Sequence, residues 1–313
     1  MLEYIIALGL LLIGFAILIA GGEGLVRASV SLATRLKVPA AVIGLTIIAA
    51  GTSAPELLTS VLASLQGTPD IALGNVVGSN IFNLLAILGA ASILKPNVVS
   101  KNLVIFDLPA LGFVSLLFYF FLYDGAYSQS EGMISLGVMV IIMMISIKVA
   151  KHFHLETDED DIIQSKSVWM DLGLLTIGLV ALIGGAHIAL LGGVQIGQLV
   201  GLSERVIGVT IISVGTGLPE LATSAVAAYR GRDDIAVANV VGSNIMNTLA
   251  VAGGAATIKD LPAETNILNF DTPFMLVSTL AIMPLIWFGR KKIHRSSGFI
   301  LGLAYIGYVI YVL

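Results

Sequence analysis

The chain is one unit written twice. Sliding the sequence on itself by 164 residues aligns residues 44–90 with 208–254 without a gap, and 27 of the 47 pairs are identical. A duplication of this length constrains the fold more than any single motif, because both copies must be built as the same supersecondary unit. The same offset pairs Asn102, Phe106, Asp107 and Pro109 with Asn266, Phe270, Asp271 and Pro273, and Gly14, Leu18 and Gly21 with Gly178, Leu182 and Gly185. The repeat therefore covers nearly the whole of each half. With 57% hydrophobic and 12% charged residues, against about a quarter charged in a soluble domain, each unit must be solvated by lipid.

Apolar stretches of bilayer-spanning length divide each half into five spans, at 4–33, 41–64, 71–94, 103–123 and 131–149, then 168–195, 205–228, 235–257, 268–289 and 296–312. The opening Met1-Leu2-Glu3 has no basic leader, so the first span reads as a retained helix. Because five is odd, the second copy enters the membrane from the opposite side. The distribution of Lys and Arg tests this topology: fourteen fall on one side and two, Arg205 and Lys259, on the other. The sequence thus predicts an all-α membrane protein of ten transmembrane helices in two inverted five-helix repeats, residues 1–150 and 168–313, joined by a cytoplasmic acidic linker at 151–167. Both termini are placed outside the cell membrane. Inverted repeats of this kind are a signature of secondary transporters, with sites near the bilayer midplane.

The polar residues inside the spans carry the chemistry. Glu56 and its repeat mate Glu220 lie deep in the second and seventh spans, where an unpaired charge costs about 2.5 kcal/mol or more, and no basic residue is near either in sequence. A bound cation, a proton or a water-filled cavity is left as partner. Each glutamate ends a helix-breaking segment, Gly51-Thr52-Ser53-Ala54-Pro55-Glu56 and Gly215-Thr216-Gly217-Leu218-Pro219-Glu220. Proline has no N–H, so the carbonyls of Gly51 and Gly215 lose their helical partners. Loosened carbonyls at membrane depth are tolerated only where they line a cavity or hold an ion. With the hydroxyls of Thr52, Ser53 and Thr216, each break presents the oxygen-rich set of a hard cation such as Ca²⁺, which takes roughly six to eight oxygens. Nitrogen and sulfur ligands are missing from both motifs, and the chain has no cysteine. The following spans carry Gly78-Ser79-Asn80-Ile81-Phe82-Asn83 and Gly242-Ser243-Asn244-Ile245-Met246-Asn247; Ser79 and Asn83, and Ser243 and Asn247, share a helical face. Gly74 and Gly78 suit close helix packing. Asn75 and Asn239 could bond loosened backbone or touch an ion.

These paired motifs, GTSxPE followed by GNxxGSN, resemble the two α-repeats of the sodium/calcium exchangers in the calcium/cation antiporter superfamily, and the resemblance covers essentially the whole chain. It implies four cation sites at the membrane centre that share the two glutamates. On matching positions it implicates Ala49, Thr52, Ser53, Glu56, Ser79 and Asn83 from the first repeat and Ser213, Thr216, Glu220, Ser243 and Asn247 from the second, with Ala49 and Ser213 acting through carbonyls. It implies exchange of Ca²⁺ for Na⁺ by alternating access, both ions bound as substrates with no resident cofactor, and function as a monomer. Gly217 departs from the pattern by lacking the hydroxyl of Ser53, and Asn247 stands where several relatives carry Asp, which leaves Na⁺ against H⁺ as driving ion open.

The alternatives are a Ca²⁺/H⁺ antiporter and a cation channel. No span pairs a nucleophile with a base, which argues against an intramembrane enzyme. No basic tract grips a phosphate backbone, so nucleic acid is excluded as a partner. Gly21-Gly22-Glu23-Gly24 and Gly184-Gly185-Ala186-His187 are equivalent glycine-rich steps that permit sliding or tight packing; Glu23 and His187 are candidates for lining an access pathway, with a buried, satisfied histidine as the preferred reading of His187. Asp107 and Asp271 precede prolines as helix caps. Glu156–Asp161 reads as a solvated acidic face.

Overall fold

The computed structural model describes residues 2–36, 38–152, 167–201 and 213–312, apart from the side chains of Ala150, Lys151, His152 and Ser213. The described chain is helical, with four two-residue strands in its loops. The helices are α1 (Leu2–Leu36), α2 (Ala40–Thr52), α3 (Ala54–Gln66), α4 (Pro69–Leu94), α5 (Leu103–Phe121), α6 (Gln129–His152) and α7 (Val168–Leu199). They continue with α8 (Ser213–Thr216), α9 (Leu218–Tyr229), α10 (Asp233–Ile258), α11 (Ile267–Phe288) and α12 (Arg295–Val312). Eight of them are long and apolar enough to cross a membrane, and α2 with α3 makes a ninth such span bent by 43°. The expected span at 205–228 lies partly outside the described residues, as do the acidic run Glu156–Asp161 and Arg205.

The repeat is visible in backbone detail. Among the described residues five turns are π-helical, at Gly44–Ile48, Phe82–Ile87, Leu103–Asp107, Asn247–Val251 and Ile267–Asp271. The second and fourth, and the third and fifth, correspond under the 164-residue offset. Such one-turn widenings frequently mark functional sites, and two of them begin at or beside Asn83 and Asn247. Asp107 and Asp271 sit at the ends of these turns, inside continuous helix, and make no capping bond. Their carboxylates instead accept hydrogen bonds across the bundle, Asp107 from the Ser146 hydroxyl at 2.7 Å and Asp271 from the Tyr308 hydroxyl at 3.0 Å. The capping expectation is therefore corrected: the wide turn carries the helix through the residues before proline, so no new helix begins there.

α1 and its repeat mate α7 pack along their whole length in opposite directions. Tyr4 near the start of α1 donates to the Leu199 carbonyl at the end of α7, 2.8 Å away, while Arg35 at the end of α1 pairs with Asp171 near the start of α7 at 3.1 Å. The backbones approach through Gly14, Gly21, Gly178 and Gly185; a Cβ on Gly21 would stand 3.0 Å from the Gly178 carbonyl, and one on Gly185 3.0 Å from that of Gly14. The stripe Gly178, Leu182, Gly185, Ala189 buries one face of α7 and puts His187 on the opposite, exposed face. The expectation of a buried histidine is corrected on that ground.

α4 and α10, which carry the Gly-Ser-Asn motifs, are the most enclosed spans. Repeat mates meet between the halves: the Asn244 amide donates to the Asn80 carbonyl at 3.1 Å, and the Ser115 and Thr279 hydroxyls lie 3.5 Å apart. Loops are braced in a similarly exchanged way, β1 (Asn97–Val98) pairing antiparallel with β4 (Lys292–Ile293), and β2 (Ala126–Tyr127) with β3 (Leu261–Pro262). The outer helices show leucine, isoleucine and phenylalanine at their surfaces, as helices facing hydrocarbon must.

Candidate functional site

Proline position fixes the two helix breaks. Pro55 and Pro219 fall in the first turns of α3 and α9, where a missing N–H costs nothing. The residue closing each preceding segment leaves the helical region: Ser53 at φ −82°, ψ 6° and Gly217 at φ −85°, ψ 2°. Glu56 and Glu220 thus enter the interior one turn after a break, in a region of weakened backbone bonding. Both are buried, to 1% and 0% exposure, and among the described residues no ion pair is formed to either.

The two halves interlock here. Ser53 of the first repeat donates its hydroxyl to Glu220 Oε1 of the second at 3.1 Å, and Ser243 donates to the same oxygen at 3.5 Å. The Glu56 carboxylate lies within electrostatic reach of Glu220. The second oxygens, Glu56 Oε2 and Glu220 Oε2, are buried and form no hydrogen bond with any described residue, and the same holds for Asn83 Oδ1 and for both amide atoms of Asn247. Buried polar atoms are nearly always partnered. Four such oxygens on four residues of the duplicated motifs therefore describe a place that wants a ligand presenting positive charge to oxygen. The donor set of carboxylates, hydroxyls and amide oxygens fits a hard cation.

Of the residues singled out in sequence, Ser53, Glu220 and Ser243 are joined directly, and Thr52 on α2, Glu56 on α3, Ser79 and Asn83 on α4 and Asn247 on α10 are buried. The buried Ala49 carbonyl accepts from the Ser53 N–H at 3.0 Å and from the Thr52 hydroxyl at 3.4 Å. The side chain of Ser213 lies outside the described residues. Asn75 and Asn239 bond the neighbouring helix: Asn75 donates to Ser60 at 2.9 Å and to the Glu56 carbonyl at 3.1 Å, Asn239 to Ser224 at 3.0 Å. They hold the glutamate helices against α4 and α10. Glu23 pairs with Arg27 at 2.7 Å and Arg230 at 2.8 Å, so it ties α1 to the end of α9 and is not a free carboxylate on a pathway.

A cavity of about 340 Å³ reaches this region, lined among others by Thr59, Asp70, Asn75, Gly78, Asp271 and Thr216. Gly74 also lines it, and a Cβ there would meet nothing within 4 Å, which corrects the expectation of close helix packing at that glycine. The repeat mates of several lining residues, Thr223, Ile235, Asn239 and Asp107, are buried. On that side α2 closes on α10: a Cβ on Gly242 would collide with the Leu45 carbonyl, and one on Gly44 would stand 3.2 Å from the Ile235 carbonyl. Two faces built from one repeated sequence are thus packed differently.

Sequence reasoning passed over Asn80 and Asn244. Asn80 donates to the Thr248 hydroxyl at 2.8 Å and Asn244 to the Asn80 carbonyl, so they join α4 to α10 beside the glutamates. Their identity in both copies was the available signal. It also passed over Phe82, whose ring occupies the space beside Gly217: a Cβ on Gly217 would lie 2.7 Å from Phe82 Cδ1.

A multi-pass membrane protein with two buried carboxylates from homologous halves, surrounded by unpartnered oxygens, has the design of an ion transporter. The chain belongs to the sodium/calcium exchanger protein family, which it matches over residues 6–148 and 170–313. A protein named as an antiporter, CaxA of Alkalimonas amylolytica, is 36% identical over 304 residues, covering 95% of each chain. The sodium/calcium exchanger MaX1 of Methanosarcina acetivorans is 30% identical over 339 residues, covering 96% of this chain and 97% of that one. Solved structures of the sodium-calcium exchanger NCX_Mj superpose with a TM-score of 0.86 at 31% identity, covering 99% of both chains.

Proposed function

We propose that this protein is a secondary active antiporter that exchanges Ca²⁺ for Na⁺ across the cell membrane by alternating access, through ten spans in two inverted repeats with both termini outside. The observation that carries the reading is the meeting of Glu56 and Glu220, repeat mates from opposite halves, around oxygens that no described residue satisfies. The antiparallel α1–α7 pair, the recurrence of π turns and the exchanged loop pairings support the inverted arrangement. The names of MaX1 and NCX_Mj support the pair of ions.

Two carboxylates can be neutralised by one Ca²⁺ or by several Na⁺. A neutralised site is less costly to enclose in a medium of low dielectric than an empty dianionic one, and that difference couples the two ions. In this reading Ala49, Thr52, Ser53, Glu56, Ser79, Asn83, Ser213, Thr216, Glu220, Ser243 and Asn247 supply the ligands. The cavity past Asp70 and Asp271 is the entrance on the outer side, and the close contact of α2 with α10 is the shut inner route. α1 and α7, in contact through small residues, are the elements that slide.

The test is ⁴⁵Ca²⁺ uptake by purified protein in liposomes, driven either by an outward Na⁺ gradient or by a pH gradient. Uptake should follow Na⁺, and Glu56→Gln and Glu220→Gln should each abolish it. Uptake driven by pH alone would replace Na⁺ with H⁺, and full activity in both variants would end the mechanism.

A further inference from the structure

The two braced loop pairs are equivalent in the repeat but opposite in charge. Around β2–β3 stand Asp124, Asp260 and Glu264 with the single cation Lys259; Asp124 accepts from the Ala126 N–H of its own loop at 3.3 Å, and Asp260 from the Gln129 N–H across the loop pair at 2.8 Å. Around β1–β4 stand Lys95, Lys101, Arg290, Lys291, Lys292 and Arg295, all exposed. The pairing of β1 with β4 gathers these six from two loops almost 200 residues apart into one ribbon. Asp233 answers only Lys95, at 3.6 Å, and Arg295 caps the Leu94 carbonyl at 3.3 Å. Among the described residues, no carboxylate pairs with Arg290, Lys291 or Lys292.

The backbone beneath this charge is strained. Arg290 and Lys291 both adopt left-handed conformations, at φ 54° and φ 64°, and the Lys292 N–H closes the turn on the Gly289 carbonyl at 3.1 Å. A turn with two successive left-handed residues favours Asn-Gly, because a Cβ is disfavoured there. This chain places an arginine and a lysine at those positions. Strain retained in this way points to function. Directly before the turn, Trp287 and Phe288 are 82% and 86% exposed, aromatic side chains of the kind that settle at headgroup depth. Segregation of positive charge explains which side the basic residues lie on; it does not explain their concentration on one strained turn beside two bare aromatic rings.

We propose that the β1–β4 ribbon is a binding site for the phosphodiester headgroups of anionic membrane lipids, with Arg290, Lys291 and Lys292 as the phosphate contacts and Trp287 and Phe288 seated beside them at headgroup depth. The site anchors α11 and α12 at the bilayer surface. It stands on the charge, the turn and the aromatic pair, independently of which ions are carried.

The double variant Arg290→Asn/Lys291→Gly tests it, because it removes two charges while giving the turn its preferred residues. The full-length protein and the variant are titrated with phosphatidylglycerol and with phosphatidylcholine, and bound lipid is counted by native mass spectrometry. The wild type should retain phosphatidylglycerol preferentially, and the variant should lose affinity by about fivefold for each charge removed, with no fall in thermal stability. Calcium uptake in pure phosphatidylcholine vesicles should be the same for both, which separates loss of lipid binding from failure of the transport reading. Equal phosphatidylglycerol retention by the two proteins would overturn the proposal. So would equal retention of the two lipids by the wild type, or inorganic phosphate displacing the lipid at comparable concentration.

Discussion

Gly217 offers the sharpest test of how the two half-sites are matched. It is the repeat mate of Ser53, whose hydroxyl bonds Glu220, and a serine at 217 would by symmetry face Glu56. Sequence alone suggests that Gly217→Ser should complete a second, equivalent half-site. The structure argues the reverse. The added Cβ would stand 2.7 Å from Phe82 Cδ1 and 2.8 Å from Cε1, where ordinary contact begins at 3.4 Å, so the ring must yield by 0.7 Å. Phe82 is 6% exposed and packs on Tyr305 with ring centroids 5.4 Å apart, so it has nowhere to turn. Overpacking of this kind costs about 1–3 kcal/mol. In a protein of this size that is a fall of several degrees in apparent melting temperature.

The relief is Phe82→Met, which places at 82 the residue already present at its mate, Met246. Alone it should cost up to about 1.5 kcal/mol for the exchange of shape and a similar amount for the lost ring pair. Combined with Gly217→Ser it should remove the clash and free the hydroxyl to donate to Glu56, a charge-assisted bond of roughly 1.5–3 kcal/mol. The double variant should therefore be more stable than the sum of the singles by at least about 1 kcal/mol. Melting of purified protein at one fixed scan rate measures this, with Gly217→Ala as the control that adds the Cβ without the hydroxyl. The Na⁺ dependence of ⁴⁵Ca²⁺ uptake should steepen in the double variant only. Additive melting shifts, or a Gly217→Ser protein as stable as the parent, would refute the reasoning.

Gly185→Ala should cost about 1–3 kcal/mol and slow calcium uptake, because its Cβ would stand 2.9 Å from the Leu18 nitrogen, while Gly184→Ala, with open space within 4 Å, should be silent in both melting and uptake. Asn244→Ala should cost about 1–3 kcal/mol by leaving the Asn80 carbonyl without its donor inside the bundle; thermal unfolding against Asn244→Asp would show whether the amide is the reason. Glu23→Gln should change stability by about 1 kcal/mol at most, since its partners Arg27 and Arg230 are half exposed. That small effect should disappear when the melt is repeated in high salt.

What could be read from the residues alone was whatever the duplication wrote twice. The spans, the two breaks at Pro55 and Pro219 and the buried glutamates stood out because each appears at one offset in an otherwise apolar chain, and the breaks lie where the prolines placed them. The π turns were not legible, since widening a turn by one residue leaves no mark on composition or periodicity. Nor was the exposed face of His187, because α7 is apolar on all sides and only its packing against α1 through Gly178 and Gly185 decides which side is buried. The cations of the β1–β4 ribbon were counted for orientation, yet their gathering depends on a pairing between distant loops. Gly217 is the instructive case: set beside Ser53 alone it looks like a missing ligand. Set beside Phe82 it is half of an exchange of volume: the first copy of the unit holds a hydroxyl-bearing residue at 53 and a rigid ring at 82, the second a bare glycine at 217 and a flexible methionine at 246, and the ring of the first lies against the glycine of the second. Two substitutions that each break the repeat compensate one another in space, and only a structure puts residues 82 and 217 in contact.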